Sequence, residues 1–304
     1  MQRRTRFAPS PSGLLHVGNA YSALSCQQWA IDNHAELLLR IEDIDHTRCR
    51  PHYIDDIKVD LHWLGLQWPE PVRLQSNSLH DYQAAIEQLR KLDVIYPCFC
   101  TRKSIQLEIE NMALAPHADD ASTRYPGICR SLDREEQQRR MANESFAWRL
   151  DIHNATRQVD TPLHWHDSGG LLYPVELDQD MVIGRKDISF SYHLSVVVDD
   201  AMQGISHIIR GKDLQESTSI HRLLQELLGL PEPTYIHHPL IQTTDGQRLA
   251  KRTGATTLSS LRRMGVDAQK LCDYLLHLPQ LIWPFDQQNI SAEESEVLRL
   301  LGKR

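Results

Sequence analysis

Residues 6–19 read Arg6-Phe7-Ala8-Pro9-Ser10-Pro11-Ser12-Gly13-Leu14-Leu15-His16-Val17-Gly18-Asn19. Arg6-Phe7-Ala8 closes a short opening run that reads as a β-strand. Pro9, Pro11 and Gly13 break any regular element, so the chain turns through a loop. From Gly18 a helical pattern runs to about Ala30, with Asn19 as the expected N-cap. Glu36-Leu37-Leu38-Leu39-Arg40-Ile41 then reads as a buried parallel strand, with Glu42, Asp43 and Asp45 at its C-terminal end. Strand, loop, helix, strand is a βαβ unit, and it predicts an α/β fold.

Helical periodicity continues from about Tyr53 to Leu64 and from Leu79 to Leu92, and Pro97 is expected to end this region. From Cys98 to about Asp167 short strands, charged helices and polar loops alternate, which reads as an insertion. Phe146–Leu150 reads as a strand within it, and Ala113–Ser122 as a mobile loop. The α/β pattern resumes near Asp187. Tyr192–Val198 is apolar, and Ile205–Arg210 reads as a second buried strand. Ser217–Leu228 is an amphipathic helix stopped by Gly229 and Pro231. Tyr235–Ile241 is strand-like, and the chain from about Leu258 is helical.

The chain of 304 residues has room for one large domain or two ordinary ones. Hydrophobic residues make up 41% and charged residues 24%, which excludes a mainly disordered or collagen-like protein. No window approaches eighteen uninterrupted apolar residues, so no transmembrane helix is expected. The basic start, Met1-Gln2-Arg3-Arg4-Thr5-Arg6, is not followed by the apolar stretch of a secretory signal, and a cytoplasmic protein is the expectation. Net charge is −7, from 33 basic and 40 acidic residues. Bulk charge therefore does not favour nucleic acid, although a local basic face is compatible with it. Six cysteines are too few for a disulfide scaffold of this length.

His16-Val17-Gly18-Asn19 stands where a loop enters a helix. Exposed amides at a helix N-terminus, with glycine permitting close approach, make a phosphate site to which His16 can donate. A turn histidine beside a helix cap is the other reading. Downstream, Arg248-Leu249-Ala250-Lys251-Arg252-Thr253-Gly254 is a basic loop in which Lys251 can meet a triphosphate as a mobile point charge. A solvated basic turn is its alternative. Cys98-Phe99-Cys100 followed by Cys129 supplies three thiolates, which hold zinc once a fourth ligand joins them. By general donor chemistry that ligand is a histidine or an acid, and His117 lies between. Three small buried hydrophobes are the alternative. Cys26, Cys49 and Cys272 read as packing residues. His62, His80, His164, His166, His237 and His238 show no metal-ligand spacing. The Arg262-Arg263 pair suits an RNA backbone or a solvated helix face equally.

Together the His16 and Lys251 segments resemble the HIGH and KMSKS motifs of class I aminoacyl-tRNA synthetases. Residues 6–19 resemble the opening of the glutamyl-tRNA synthetase family. So do Arg40-Ile41-Glu42-Asp43-Ile44-Asp45, Asp60-Leu61-His62-Trp63-Leu64-Gly65-Leu66, Val196-Val197-Val198-Asp199-Asp200, and Ile209-Arg210-Gly211-Lys212-Asp213-Leu214 with Ser217-Thr218. These segments occur in family order from about residue 5 to 255. The sequence runs only about fifty residues past the KMSKS-like loop, too few for a large anticodon-binding region. It is therefore most similar to the short branch, the glutamyl-queuosine tRNA(Asp) synthetases.

That resemblance implies a Rossmann-like catalytic domain whose first half is residues 1–97 and second half 171–241. A zinc-bearing insertion at 98–170 and a KMSKS-like loop with a helical C-terminal segment at 242–304 complete the expected organisation, with no anticodon-binding domain. It implies tRNA-independent activation of glutamate with ATP and Mg2+, then esterification of the queuosine base at the wobble position of tRNA(Asp). A monomer is implied. The glutamate site carries over to Arg6, Phe7, Ala8, Pro9, Ser10, Glu42, Tyr192 and Arg210. Two ligand carboxylates call for the guanidinium forks of Arg6 and Arg210, and one ammonium for the acid Glu42. ATP contacts fall on His16, Gly18, Asn19 and Lys251, with His16 and Lys251 as the catalytic pair. One structural zinc is implied on Cys98, Cys100, Tyr125 and Cys129, where Tyr125 takes the place that donor chemistry alone would give to His117. The chain departs from the motifs at Asn19, where HIGH has its second histidine, and at Ala250 and Arg252, where KMSKS has its serines. The alternatives are a truncated glutamyl-tRNA synthetase that charges the tRNA 3′ end, a non-catalytic zinc-stabilised RNA-binding module, and another nucleotidyltransferase.

Overall fold

Leu37, Leu39 and Ile41 are buried on one strand, and Thr5, Arg6 and Phe7 on its neighbour. In the computed structural model, which describes residues 2–101, 103–105, 125–186, 190–242, 256–277 and 283, these become β2 (Glu36–Ile41) and β1 (Arg4–Phe7). They pair in parallel, Phe7 opposite Leu39, and β3 (Arg73–Leu74) joins the far side of β2. Helix α1 (Val17–Asp32) connects β1 to β2 and buries Val17, Ala20, Ala23, Leu24, Cys26 and Ala30. These are mostly small side chains, which let the helix lie close to the strands. Helix α2 (His52–Trp63) leads to β3, and α3 (Leu79–Lys91) follows it.

The second half repeats the scheme. After β9 (His207–Gly211), helix α7 (Ser217–Leu228) crosses to β10 (Thr234–His238), which pairs with β9 in parallel. Gly229 ends α7 at φ +63°, a left-handed conformation that glycine adopts without a Cβ penalty. The halves meet where β9 lies alongside β1. Ser206 donates its N–H to the Arg4 carbonyl at 3.1 Å, and Arg4 returns its N–H to Ser206 Oγ at 2.9 Å. The Cys26 thiol lies 3.5 Å from the Arg6 carbonyl and 3.7 Å from that of Ile209, bridging the strands. Burial pushes this thiol up to about 12, so it remains a protonated donor.

Between the halves, β4 (Ile95–Cys98), β5 (Ala147–Leu150) and β8 (Met181–Gly184) form an antiparallel sheet with β5 in the centre. Pro97 does not end the region as expected. It lies inside β4 opposite Trp148, and a proline is tolerated there because β4 is an edge strand. Around this sheet lie α4 (Arg134–Met141) and α5 (Ile152–Arg157), while the β6 (His164–His166) and β7 (Leu172–Pro174) pair packs against β10 and α7. The apolar segment after Asp187 is the start of α6 (Tyr192–Met202), and α8 (Leu258–Arg263) and α9 (Ala268–Leu276) close the described chain. Arg262 on α8 pairs with buried Asp60 at 3.3 Å, so this residue of the Arg262-Arg263 pair is engaged within the fold. No helix among the described residues is long and apolar enough to cross a membrane.

Charge ties these elements together. Arg40 on β2 is fully buried and donates to Asp200 at 2.6 Å, to Gln203 at 3.1 Å and to Glu42 at 3.1 Å. Its neighbour Asp199 accepts from Arg73 at 2.8 Å, Gln75 at 2.9 Å and Tyr82 at 2.8 Å. Burial works to raise the Asp200 carboxyl, but Arg6 and Arg40 hold it below the usual carboxylate range. A depressed acid stabilises the fold above its unfolded value of about 3.9, and that contribution is lost as pH falls through the folded value. Replacing Asp199 by alanine leaves Gln75 and Tyr82 without their carboxylate acceptor and Arg73 with Asp81 alone, and the expected loss is about 3–5 kcal/mol in urea unfolding. A loss below about 1 kcal/mol, the scale of one ordinary hydrogen bond, would show that the cluster does not act as a unit.

Candidate active site

A cavity of about 450 Å³ opens at the carboxyl ends of β1 and β9, against the N-terminus of α1. Crevices at this point of parallel sheets are where α/β folds bind ligands. Arg6, Phe7, Ala8, Pro9, Ser10, His16, Gly18, Asn19, Glu42, Tyr192 and Arg210 all line it. Residues scattered from 6 to 210 therefore line one cavity. Lys251, Ala250, Arg252 and His117 lie outside the described residues. Thr256, two residues past the KMSKS-like segment, is nonetheless fixed against this end of α1. Val17 donates its N–H to the Thr256 carbonyl at 3.2 Å, and Leu258 donates to that of Leu15 at 2.9 Å.

His16, and not Asn19, is the N-cap of α1. Its Nδ1 accepts the Gly18 N–H at 3.1 Å, while Asn19 Oδ1 accepts the His16 N–H at 3.1 Å. This is a capping box with histidine in the role usually taken by serine or threonine. Asn19 thus contributes from the third helical position, where a side chain can reach back. Because Nδ1 accepts, the ring proton of neutral His16 is on Nε2. A Cβ on Gly18 would lie 3.0 Å from His16 Cε1, so glycine here leaves room for the ring.

The two arginines differ in their surroundings. Arg6 is buried and committed to Asp200, Nε to Oδ1 at 2.8 Å and Nη2 to Oδ2 at 3.4 Å. Arg210 is equally buried, yet its partners are neutral. It donates to His221 Nδ1 at 3.1 Å, His237 Nε2 at 3.2 Å and Thr218 Oγ1 at 2.7 Å. Its guanidinium carbon sits 5.2 Å from the centre of the Tyr235 ring. Arg210 is therefore a buried cation and not part of a surface ion pair. Glu42 accepts from Arg40, but burial outweighs Arg40 and Arg6 and raises its carboxyl above the ordinary value. Tyr192 opens α6 just after its N-cap, Ser191, and reaches the same cavity. A second cavity of about 260 Å³ shares Ser10, Ser12, Glu42 and Tyr192 with the first, and adds Asp45, Arg48, Gln75 and Arg185.

The profile of the family described as tRNA synthetases class I (E and Q), catalytic domain, matches residues 2–296. A glutamyl-Q tRNA(Asp) synthetase of Rhodobacter capsulatus is 40% identical over 269 residues, which span 86% of this chain and 95% of that one. One from Nocardia farcinica is 40% identical over 297 residues, or 95% and 91% of the two chains. The chain belongs to the glutamyl-Q tRNA(Asp) synthetase family. A crystal structure of a glutamate tRNA ligase from Elizabethkingia meningosepticum, in complex with its amino acid, is similar in fold. Its TM-score is 0.75 at 25% identity, with 91% of this chain and 61% of that one covered.

In this member of the glutamyl-Q tRNA(Asp) synthetase family, the cysteines expected to bind metal also converge. The sulfurs of Cys98, Cys100 and Cys129 lie within 4.8 Å of one another, the only such cluster of possible ligands among the described residues. Tyr125 Oη is 3.4 Å from Cys98 Sγ and 3.8 Å from Cys100 Sγ, and accepts the Cys129 N–H at 3.1 Å. Arg149 donates Nε to Cys98 Sγ at 3.2 Å, and Phe99 its N–H to Cys129 Sγ at 3.3 Å. Burial works to raise the Cys98 thiol, but Tyr125 and Arg149 hold it below the ordinary value, whereas burial pushes Cys100 up to about 12.

Sequence reasoning passed over three features of this site. His237 was set aside with the dispersed histidines, and His193 and His221 were not singled out. The register of β10 on β9 places His237 opposite Arg210, so strand pairing would have found it. Asp200, legible only as part of a motif, is the counter-ion of Arg6. The capping box yields a prediction. His16→Ala is expected to lose about 1 kcal/mol of stability in urea unfolding, and His16→Asn, a strong N-cap, to recover most of it. Equal losses would mean that the His16 ring does not cap the helix.

Proposed function

We propose that this chain activates glutamate with ATP, without tRNA, and transfers it to the queuosine base at the wobble position of tRNA(Asp). One observation carries this reading: a single cavity sets a carboxylate, Glu42, and a buried cation with no carboxylate partner among the described residues, Arg210, beside the capped end of α1. Glutamate matches that pattern. Its ammonium meets Glu42, its side-chain carboxylate meets Arg210 and Tyr192, and Arg6 to Ser10 form the floor. The names of the relatives support the same substrate and acceptor.

In the first step the α-carboxylate of glutamate attacks the α-phosphorus of ATP, which arrives with Mg2+. Pyrophosphate leaves, and a glutamyl-adenylate remains. Negative charge on the phosphates is met by His16 Nε2–H, by the positive end of the α1 dipole and by Lys251. No protein nucleophile is needed. Alignment of carboxylate with phosphorus supplies much of the remaining rate. In the second step a hydroxyl of the queuosine cyclopentene attacks the activated carboxyl, and AMP leaves. The second cavity shares the Glu42 wall, which supports an approach from that side.

Cys98, Cys100, Cys129 and Tyr125 fit zinc as a donor set of three sulfurs and one oxygen. Four protein ligands close the coordination, so the metal is structural and its chemistry is to hold the insertion together.

Glutamate-dependent ATP–pyrophosphate exchange without tRNA tests the first step. An ester on queuosine, separated by its stability from one at the 3′ end, tests the second. Exchange that requires tRNA, or an ester at the 3′ end, would point to an ordinary glutamyl-tRNA synthetase. Glu42→Gln is expected to raise the KM for glutamate at least about tenfold, equal to about 1.4 kcal/mol, while the Tm holds or rises. The sign follows from the raised carboxyl. Ionised Glu42 destabilises the fold above its folded pKa, and this penalty disappears as pH falls below about 4.3. The Tm difference between the variant and the parent should therefore shrink on acidification. For the metal, elemental analysis should find about one zinc per chain, and a strong chelator should lower the Tm by several degrees. No bound zinc and no response to chelation would leave the thiols as packing groups.

A further inference from the structure

We propose that His221, His193 and His237 are positioning residues forming an uncharged cradle around Arg210, which keeps that cation available for an anionic side chain of the amino acid. The inference rests on the proposed function and deepens it, because it names what makes the cavity select glutamate over its uncharged amide.

The argument begins with donors and acceptors. A guanidinium only donates, so each imidazole nitrogen facing Arg210 presents a lone pair. His221 Nδ1 faces Arg210 Nη1 at 3.1 Å, which places the ring proton of His221 on Nε2. That Nε2–H points to His193 Nδ1 at 3.1 Å, so His193 accepts and carries its own proton on Nε2. His237 Nε2 faces Arg210 Nε at 3.2 Å, and its proton is on Nδ1. Thr218 Oγ1 takes the remaining contact at 2.7 Å. One cation thus sets three tautomers in sequence.

The elements packed around Arg210 supply the other groups that face it. Helix α7 brings Thr218 and His221, α6 brings Tyr192 and His193, and β10 brings Tyr235 and His237. Arg6 on β1 is the other cation nearby and is neutralised by Asp200, which also acts on Tyr192 with Glu42. Asp167 acts on His237 across the β6–β7 turn. No carboxylate of the described residues forms an ion pair with Arg210. Burial first, and the Arg210 charge second, hold His193 and His237 down to about 4 and His221 well below the ordinary value. Burial and the guanidinium together thus favour the neutral form of all three rings.

The contrast with Arg6 shows what this arrangement does. A carboxylate in place of one imidazole would satisfy Arg210 as Asp200 satisfies Arg6. The cavity would then gain little from a substrate carboxylate. Neutral acceptors fix the guanidinium plane and leave its charge uncompensated, so a ligand that brings an anion completes the pair.

The test compares two variants of near-equal size. His221→Gln keeps a neutral acceptor, and His221→Glu adds a charge. In glutamate-dependent pyrophosphate exchange, His221→Glu is expected to raise the KM for glutamate at least about thirtyfold, with the KM for ATP and the Tm near the parent values. His221→Gln is expected to raise it less than about fivefold. The preference for glutamate over glutamine should narrow in His221→Glu only. Equal damage by the two variants, or a parallel rise in the KM for ATP, would overturn the cradle. Histidine 15N chemical shifts of the parent supply a second measurement. Neutral rings from pH 8 to 5, protonated at the nitrogens named above, support the proposal, and a His221 that titrates near 6.5 overturns it. A parent without glutamate-dependent exchange would overturn the proposed function instead, and the tautomers would still decide whether the cradle exists.

Discussion

A fully buried guanidinium, Arg40, is the point on which the structure turns. Desolvating such a cation is expensive, and it persists only where several acceptors surround it. Asp199, Asp200, Glu42 and Gln203 do so here. The acceptors come from two places in the fold. Asp199, Asp200 and Gln203 belong to α6 and the turn after it, and Glu42 to the end of β2. The need to surround one charge therefore registers the second half of the molecule against the first. Arg6 joins through Asp200, and Arg73 and Tyr82 through Asp199. A displaced α6 would leave several buried charges without partners at once, so the cluster defines position more sharply than apolar packing does.

The same cluster prepares the cavity. It fixes Arg6 in the floor through Asp200 and holds Glu42 at the mouth of β2 through Arg40. Glu42 pays for its location with a raised pKa, as expected of an acid kept dry to meet a cation. Across the cavity, Arg210 is treated in the opposite way, surrounded by imidazoles and a hydroxyl rather than by carboxylates. One side thus presents a carboxylate held by a cation, and the other a cation held by neutral groups. A ligand with an ammonium at one end and a carboxylate at the other complements both. The capped end of α1 lines the same cavity.

Much of this was legible in the residue order. The βαβ opening, the strand at 36–41, the helix at 217–228 and the converging cysteines all follow from local periodicity and spacing, which the sequence displays directly. Other features needed the third dimension. His16 was readable as a phosphate donor, but its role as N-cap depends on backbone geometry that also admitted Asn19. Pro97 looked like a terminus, because nothing local shows that β4 is an edge strand. His237 looked idle, because its partner is the residue opposite it on another strand.

By itself, then, the sequence determined the class of fold and the family, and it named residues that the structure brings to one cavity. Each of these depends on residue type and short-range spacing, which survive without coordinates. Only the tertiary structure decided which arginine is neutralised and which is not. Arg6 and Arg210 are the same residue type at the ends of similar strands. Their difference lies in whether Asp200 or His221 and His237 are packed against them. Charge compensation is set by neighbours within about 4 Å, and those neighbours come from residues far apart in the chain.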